Sequence, residues 1–123
     1  MEICYIELKT GFNDNGPAWI GKVKRSKSKQ TIYFNNKAFQ RNHGVYANYI
    51  DIETGEEYWI SGVKKDCSDR HWAGSGKILV DRSILEEYLS FIEQPALNPS
   101  RYEIVDIPEQ CPKQRIYDME NKV

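Results

Sequence analysis

Cysteine is scarce in this chain of 123 residues: three thiols, Cys4, Cys67 and Cys111, odd in number and far apart. A small secreted disulfide framework needs an even and denser set, so reduced thiols in the cytoplasm are expected. Long hydrophobic runs are missing too, and nothing approaches the ~20 apolar residues a membrane-spanning helix requires. The opening Met1-Glu2-Ile3-Cys4-Tyr5 lacks the basic, apolar and small-residue stretches of a secretory signal, and none is expected. There is no Cys-x-x-Cys pair, phosphate-binding P-loop, Gly-x-Gly-x-x-Gly, Gly-x-Ser-x-Gly or His-Glu-x-x-His motif. Internal repeats are absent as well.

Acidic residues are missing from one stretch. Between Asn15 and Ile50 there is none, while Lys22, Lys24, Arg25, Lys27, Lys29, Lys37 and Arg41 stand there uncompensated. From Asp51 onward the balance reverses, with nine basic and fifteen acidic residues, and the whole chain carries a formal charge of −1. Segregated charge of this kind concerns partners and their approach rather than fold.

What is present is a globular composition. Hydrophobic residues make up 40% and aromatics 12%, enough to offset chain entropy where a disordered chain has too few. A chain of this length builds one core without staples, so a single domain over residues 1–106 is expected. Residues 3–8 (Ile-Cys-Tyr-Ile-Glu-Leu) read as a strand, followed by the turn-rich run from Gly11 to Pro17. The alternation in Trp19-Ile20-Gly21-Lys22-Val23-Lys24 puts Trp19 and Val23 on one face and the lysines on the other. Residues 31–34 and 37–41 read as strands around an Asn35-Asn36 turn. Residues 49–52 and 57–60 form the clearest hairpin, with Gly55 in its turn. Tyr102 to Val105 is a candidate edge strand, and the proline-containing tail, 107–123, reads as extended or loose.

One helix is predicted, near residues 82–93. Asp81 or Ser83 can cap it, and Ser83 with Glu86 has the spacing of a capping box. Ile84, Leu85, Tyr88, Leu89 and Ile92 make its apolar stripe, and Pro95 stops it. The expected architecture is therefore mainly β, an α+β domain: a small antiparallel barrel or strongly bent sheet of five to six strands plus one C-terminal amphipathic helix.

Two places carry candidate chemistry. The basic stripe, Lys22 to Arg41 with Tyr33, Phe34 and Phe39 interleaved, suits a surface that neutralises phosphates and stacks bases, as small barrels do. The same aromatics in strands serve a core equally well, and edge lysines discourage sheet aggregation. The second place is the loop from Ser61 to Lys77, about seventeen residues and so long enough to be functional or mobile. Lys64, Lys65, Asp66, Asp69, Arg70, His71 and Trp72 are its candidate partner-binding residues. Arg70 can make a bidentate contact to a carboxylate or phosphate, and Trp and Arg concentrate interface energy. If the chain is an enzyme, Asp69 orienting His71, with Lys65 beside them, is the catalytic set. Cys67 beside His71 admits a thiolate nucleophile. A metal site is not expected, because the only other histidine, His43, leaves the ligand set short, and no cofactor is expected.

The run Tyr58-Trp59-Ile60-Ser61-Gly62-Val63-Lys64-Lys65-Asp66, continued by Asp69-Arg70-His71-Trp72-Ala73-Gly74, resembles a family of small bacterial proteins of unestablished function. The likeness extends to Trp19 through Val23, to Glu53-Thr54-Gly55-Glu56 and to Glu87-Tyr88, covering roughly residues 18–90. Proteins of this kind sometimes carry the name of a thiamine-dependent isoprenoid-pathway synthase, but such synthases are several times longer, and nothing here would bind diphosphate and magnesium. The resemblance implies a compact fold and no mechanism. Where it implies glycine, this chain has Cys67, which argues against an essential thiol.

The expected function is a non-enzymatic cytoplasmic protein-binding module, of the kind that neutralises a toxin or nuclease as an immunity protein does. The alternatives are nucleic-acid binding through the basic stripe and a small enzyme built on Asp69 and His71. No membrane partner is expected.

Overall fold

In a computed structural model, which describes residues 2–70, 74–109 and 111–120 (the last three by backbone alone), eight strands and two α-helices are found. The strands are β1 (Glu2–Leu8), β2 (Ala18–Arg25), β3 (Thr31–Phe34), β4 (Lys37–Arg41), β5 (Tyr49–Asp51), β6 (Glu57–Gly62), β7 (Ile78–Asp81) and β8 (Tyr102–Val105). The helices are α1 (Leu85–Ile92), entered through a 3₁₀ turn at Arg82–Ile84, and α2 (Lys113–Glu120).

β1 to β6 form an antiparallel meander in which each strand pairs with the next, and β1 also pairs with β6. The sheet closes on itself as a six-stranded barrel, as the expected bent sheet of five to six strands anticipates. Closure satisfies the edges that an open sheet would leave unpaired. The hairpin turns follow from residue type. Asn35 and Asn36 take φ of 52° and 58°, the conformation of a type I′ turn that asparagine tolerates. Gly55 takes φ 76° between β5 and β6, and the Asp51 carboxylate accepts the Glu53 N–H at 2.9 Å.

Alternation along each strand divides the side chains between two cores. Cys4, Ile6, Val23, Ile32, Phe34, Phe39, Tyr49, Tyr58 and Ile60 fill the barrel. Phe39 and Tyr58 meet edge to face at 4.8 Å between centroids. Gly21 of β2 is required there, since a Cβ would stand 2.6 Å from the Phe34 ring. The other faces of β1 and β2 are also buried. Tyr5, Ala18 and Ile20 look outward and are covered by β7, α1 and Tyr102 of β8.

β7 lies parallel to the first half of β2, from Ala18 to Ile20, and β8 lies parallel to β7. Residues 78–81 were not among the predicted strands. β7 is only four residues long, and its Ile78, Val80 and Asp81 are buried, so its run shows too little alternation to announce a strand. The predicted apolar stripe of α1 packs as expected, with Ile84, Tyr88 and Ile92 buried. Its entry differs from the expected capping box. Asp81 accepts the Ser83 N–H at 3.0 Å and caps the 3₁₀ turn, while α1 itself begins without a side-chain cap. Its end comes at Glu93, whose left-handed φ of 57° closes the last turn two residues before Pro95.

The tail is another correction. Residues read as extended or loose include α2, and the segment straps across the barrel. Ile107 packs on the barrel core and Ile116 is buried. Arg115 donates to both oxygens of Glu53 at 2.7 Å and to the Asn36 carbonyl at 2.8 Å. These partners lie far away in sequence, where no local pattern could indicate them.

Candidate functional site

The charged loop is positioned by polar contacts rather than by regular structure. Asp69 accepts the Lys64 N–H on Oδ1 at 2.8 Å, closing the loop across five residues. Asp66 accepts both the N–H and the hydroxyl of Ser68, at 3.0 and 2.6 Å. That pair of hydrogen bonds holds the Asp66 carboxyl below its ordinary pKa. Cys67 sits at φ 62°, a left-handed conformation that favours glycine. Arg70 reaches across to the β1–β2 connection and donates to the carbonyls of Asp14 at 3.0 Å and Gly16 at 3.1 Å. Gly74 allows this approach, because a Cβ there would lie 2.3 Å from the Asp14 oxygen.

Between this loop and the end of β1 lies an open cleft of about 720 Å³. Lys64, Asp66, Asp69 and Arg70 line one side, Glu7 and Lys9 another, and Trp59 of β6 contributes an aromatic wall. Val45 and Tyr46, both exposed, stand at the rim, and Arg101 enters from the residue before β8. Its volume falls in the range of ligand-binding clefts.

The acids of the cleft are internally occupied. Glu7, fully buried on β1, accepts the Tyr5 hydroxyl at 2.5 Å and the Lys9 ammonium at 3.0 Å. Lys9 also donates to Asp14 at 3.1 Å and lies 5.1 Å from the centre of the Tyr46 ring. Burial alone would favour the neutral amine of Lys9, but the hydrogen bonds to Glu7 and Asp14 outweigh it and its pKa is raised. Burial also raises the Asp69 carboxyl above its ordinary value, with the Lys64 N–H opposing. The second carboxylate oxygen of Asp69 and the Nε of Arg70 are buried without a hydrogen-bond partner among the described residues.

The predicted loop residues thus divide. Lys64, Asp66, Asp69 and Arg70 converge on the cleft. Lys65 lines a neighbouring cavity and lies 6.0 Å from the Phe91 ring centre. His71 and Trp72 lie outside the described residues, and so does any pairing of His71 with Asp69 or Cys67. Glu7, Lys9, Trp59, Tyr46 and Arg101 were not anticipated. A signal existed for Glu7 alone: a carboxylate inside the otherwise apolar run of β1 calls for a buried partner.

The basic stripe is broken up by the fold. Lys22 pairs with Glu109, Arg25 makes two hydrogen bonds to Glu2 at 2.7 and 2.9 Å, and Lys37 faces Asp51 at 3.6 Å. Arg41 covers the Tyr49 ring at 5.7 Å. Phe34 and Phe39 are in the barrel interior, while Tyr33 is half-buried with Lys113 5.9 Å from its ring centre. Lys24, Lys27 and Lys29 form no ion pair among the described residues.

Among the described residues no helix is long and apolar enough to cross a membrane. Compared with protein-family models, with curated proteins and with solved structures, the chain matches none.

Proposed function

We propose that this chain is a non-enzymatic protein-binding module of the cytoplasm, acting as an immunity-type protein, with the loop cleft as its contact surface. The observation that carries the reading is the convergence of Lys64, Asp66, Asp69 and Arg70 on one open cleft with exposed Val45 and Tyr46 at its rim. Exposed apolar side chains beside polar groups already fixed in position suit a protein contact, where preorganisation lowers the entropy cost of binding. The test is co-purification of the full chain from its native host, in wild type and two charge-reversal variants. A near one-to-one partner retained by wild type and K27E/K29E, and lost from K64E/R101E, is the expected result. Recovery of no stoichiometric protein, or of one indifferent to K64E/R101E, counts against it.

One observation favours a second reading, acid–base chemistry by Asp69. Its carboxyl is raised by burial beside a cleft, as catalytic carboxyls often are. Lys65, the expected helper, lines the adjoining cavity instead.

A further inference from the structure

We infer that Arg70, Lys77 and Arg101 form a phosphate-binding site in the cavity next to the cleft, and that its ligand is a small phosphorylated molecule. The inference goes beyond the protein-binding reading and concerns a separate cavity.

That cavity, of about 340 Å³, lies where the chain enters β7 and β8. Arg70, Lys77 and Arg101 stand in its walls together with Gly74, Gly76 and Ser100. No described residue of the walls is acidic, and His71, Trp72 and Ala73, which lie outside the described residues, carry no carboxyl group. The cleft beside it differs, because there Glu7, Asp14, Asp66 and Asp69 balance the cations. Arg70, Lys77 and Arg101 form no ion pair among the described residues. The charge of this cavity has one sign.

The fold assembles that charge against repulsion. β7 and β8 run parallel with Ile78 beside Tyr102, and the Arg101 carbonyl accepts the Ile78 N–H at 2.9 Å. Lys77 and Arg101 immediately precede these strands, so two exposed cations stand side by side at their entrances. Like charges at opposed positions of neighbouring strands are destabilising. Arg70 comes from a third segment, and the Asp14 and Gly16 carbonyls fix its guanidinium without neutralising it. An anion seated among the three removes the repulsion.

The form of the cavity selects phosphate among anions. Three cations from three segments match the three terminal oxygens and nearly double charge of a phosphate monoester, whereas a carboxylate has two oxygens and a single charge. The wall between Arg70 and Lys77 is bare main chain at Gly74 and Gly76, and a Cβ on Gly76 would meet nothing within 4 Å. Both approaches are held in place beforehand. Asn15 Oδ1 accepts the N–H and hydroxyl of Ser75 at 2.9 and 3.0 Å, and Asn98 Oδ1 accepts those of Ser100 at 3.0 and 2.7 Å. The volume lies within the range of small-molecule sites, which leaves room for more than the phosphate itself.

The experiment is an amide-resolved NMR titration of the isotope-labelled full chain with ribose 5-phosphate, inorganic phosphate, ribose and sodium acetate, all at one ionic strength. Ribose 5-phosphate is expected to give saturable shifts at Gly76, Lys77, Ser100 and Arg101, inorganic phosphate the same shifts at weaker affinity, and ribose and acetate none that saturate. Affinity should fall about tenfold in K77Q and in R101Q, both exposed positions at which the fold is retained, and stay unchanged in K27Q/K29Q. No saturable shift with either phosphate, equal binding of acetate, unchanged affinity in both K77Q and R101Q, or shifts confined to residues 22–29 would each overturn the inference. Inorganic phosphate binding as tightly as ribose 5-phosphate would overturn the organic ligand. Lys77 is not in the walls of the cleft, so K77Q should lose phosphate and keep a protein partner. Loss of both together would overturn the separation of the two sites.

Discussion

Tyr5 and Glu7 stand two residues apart on the outward face of β1, both out of solvent, and the tyrosine hydroxyl donates to the glutamate at 2.5 Å. Glu7 also receives the Lys9 ammonium, so one buried carboxylate satisfies two donors. Burial and the negative charge of Glu7 together push the Tyr5 hydroxyl far above its ordinary pKa. Replacing Glu7 with alanine strands the Tyr5 hydroxyl and leaves Lys9 with Asp14 alone, and the expected loss is about 2–3 kcal/mol. Tyr5→Phe removes one donor and should cost about 1 kcal/mol. Urea unfolding midpoints at unchanged slope measure both, and an alanine cost no larger than that of Tyr5→Phe refutes the shared-acceptor arrangement.

Asp69 gives the pH dependence a definite sign. Its carboxyl is raised from 3.8 in the folded chain, so folding favours the protonated form. The stability it contributes is complete below 3.8 and is lost as pH rises through the folded value. Asp69→Asn keeps an acceptor for the Lys64 N–H and has no proton to lose. Relative to wild type, the Asn variant should therefore gain melting temperature as pH climbs from about 3 to about 7. A difference that stays constant across that window contradicts the assignment.

Gly21 and Phe34 form a second testable pair. Gly21→Ala forces the new methyl into the Phe34 ring, and the expected cost is about 1–3 kcal/mol. Phe34→Leu in the same chain vacates the contested space, so the double variant should recover part of that loss. Strictly additive effects in the double-mutant cycle would show that the two positions do not collide.

The strap across the barrel should detach before the barrel unfolds. Ile116→Asp places a charge at a buried position and releases α2, whereas Arg115→Ala removes an exposed ion pair worth under about 1 kcal/mol. Limited proteolysis is expected to cut the Ile116→Asp chain within residues 106–120 while the barrel resists, and to leave Arg115→Ala near wild type. Simultaneous cleavage in the barrel would mean that the strap is integral to its stability.

Alternation and turn chemistry made the barrel strands and α1 legible: period two in β2, the Asn35-Asn36 turn, and the five-residue apolar stripe from Ile84 to Ile92. The loop stood out in the sequence because charges concentrate there without periodicity. β7 did not, since burial on both faces erases alternation, and Ser83 failed as a cap because Asp81 had already turned the chain.

The sequence by itself determined a β-rich fold, its hairpins, the helix α1 and the loop in which polar side chains gather. Tertiary structure decided which of those side chains act together. Closing β1 against β6 brings Glu7, Lys9 and Trp59 to one wall, and the reach of Arg70 to the Asp14 and Gly16 carbonyls sets the other. It also divided the basic stripe, because counter-charges at Glu2, Asp51 and Glu109 arrive from remote parts of the chain. Local propensity and side-chain period are carried by neighbours along the chain. Pairing of charges depends on distance in space, which only the closed barrel and its strap establish.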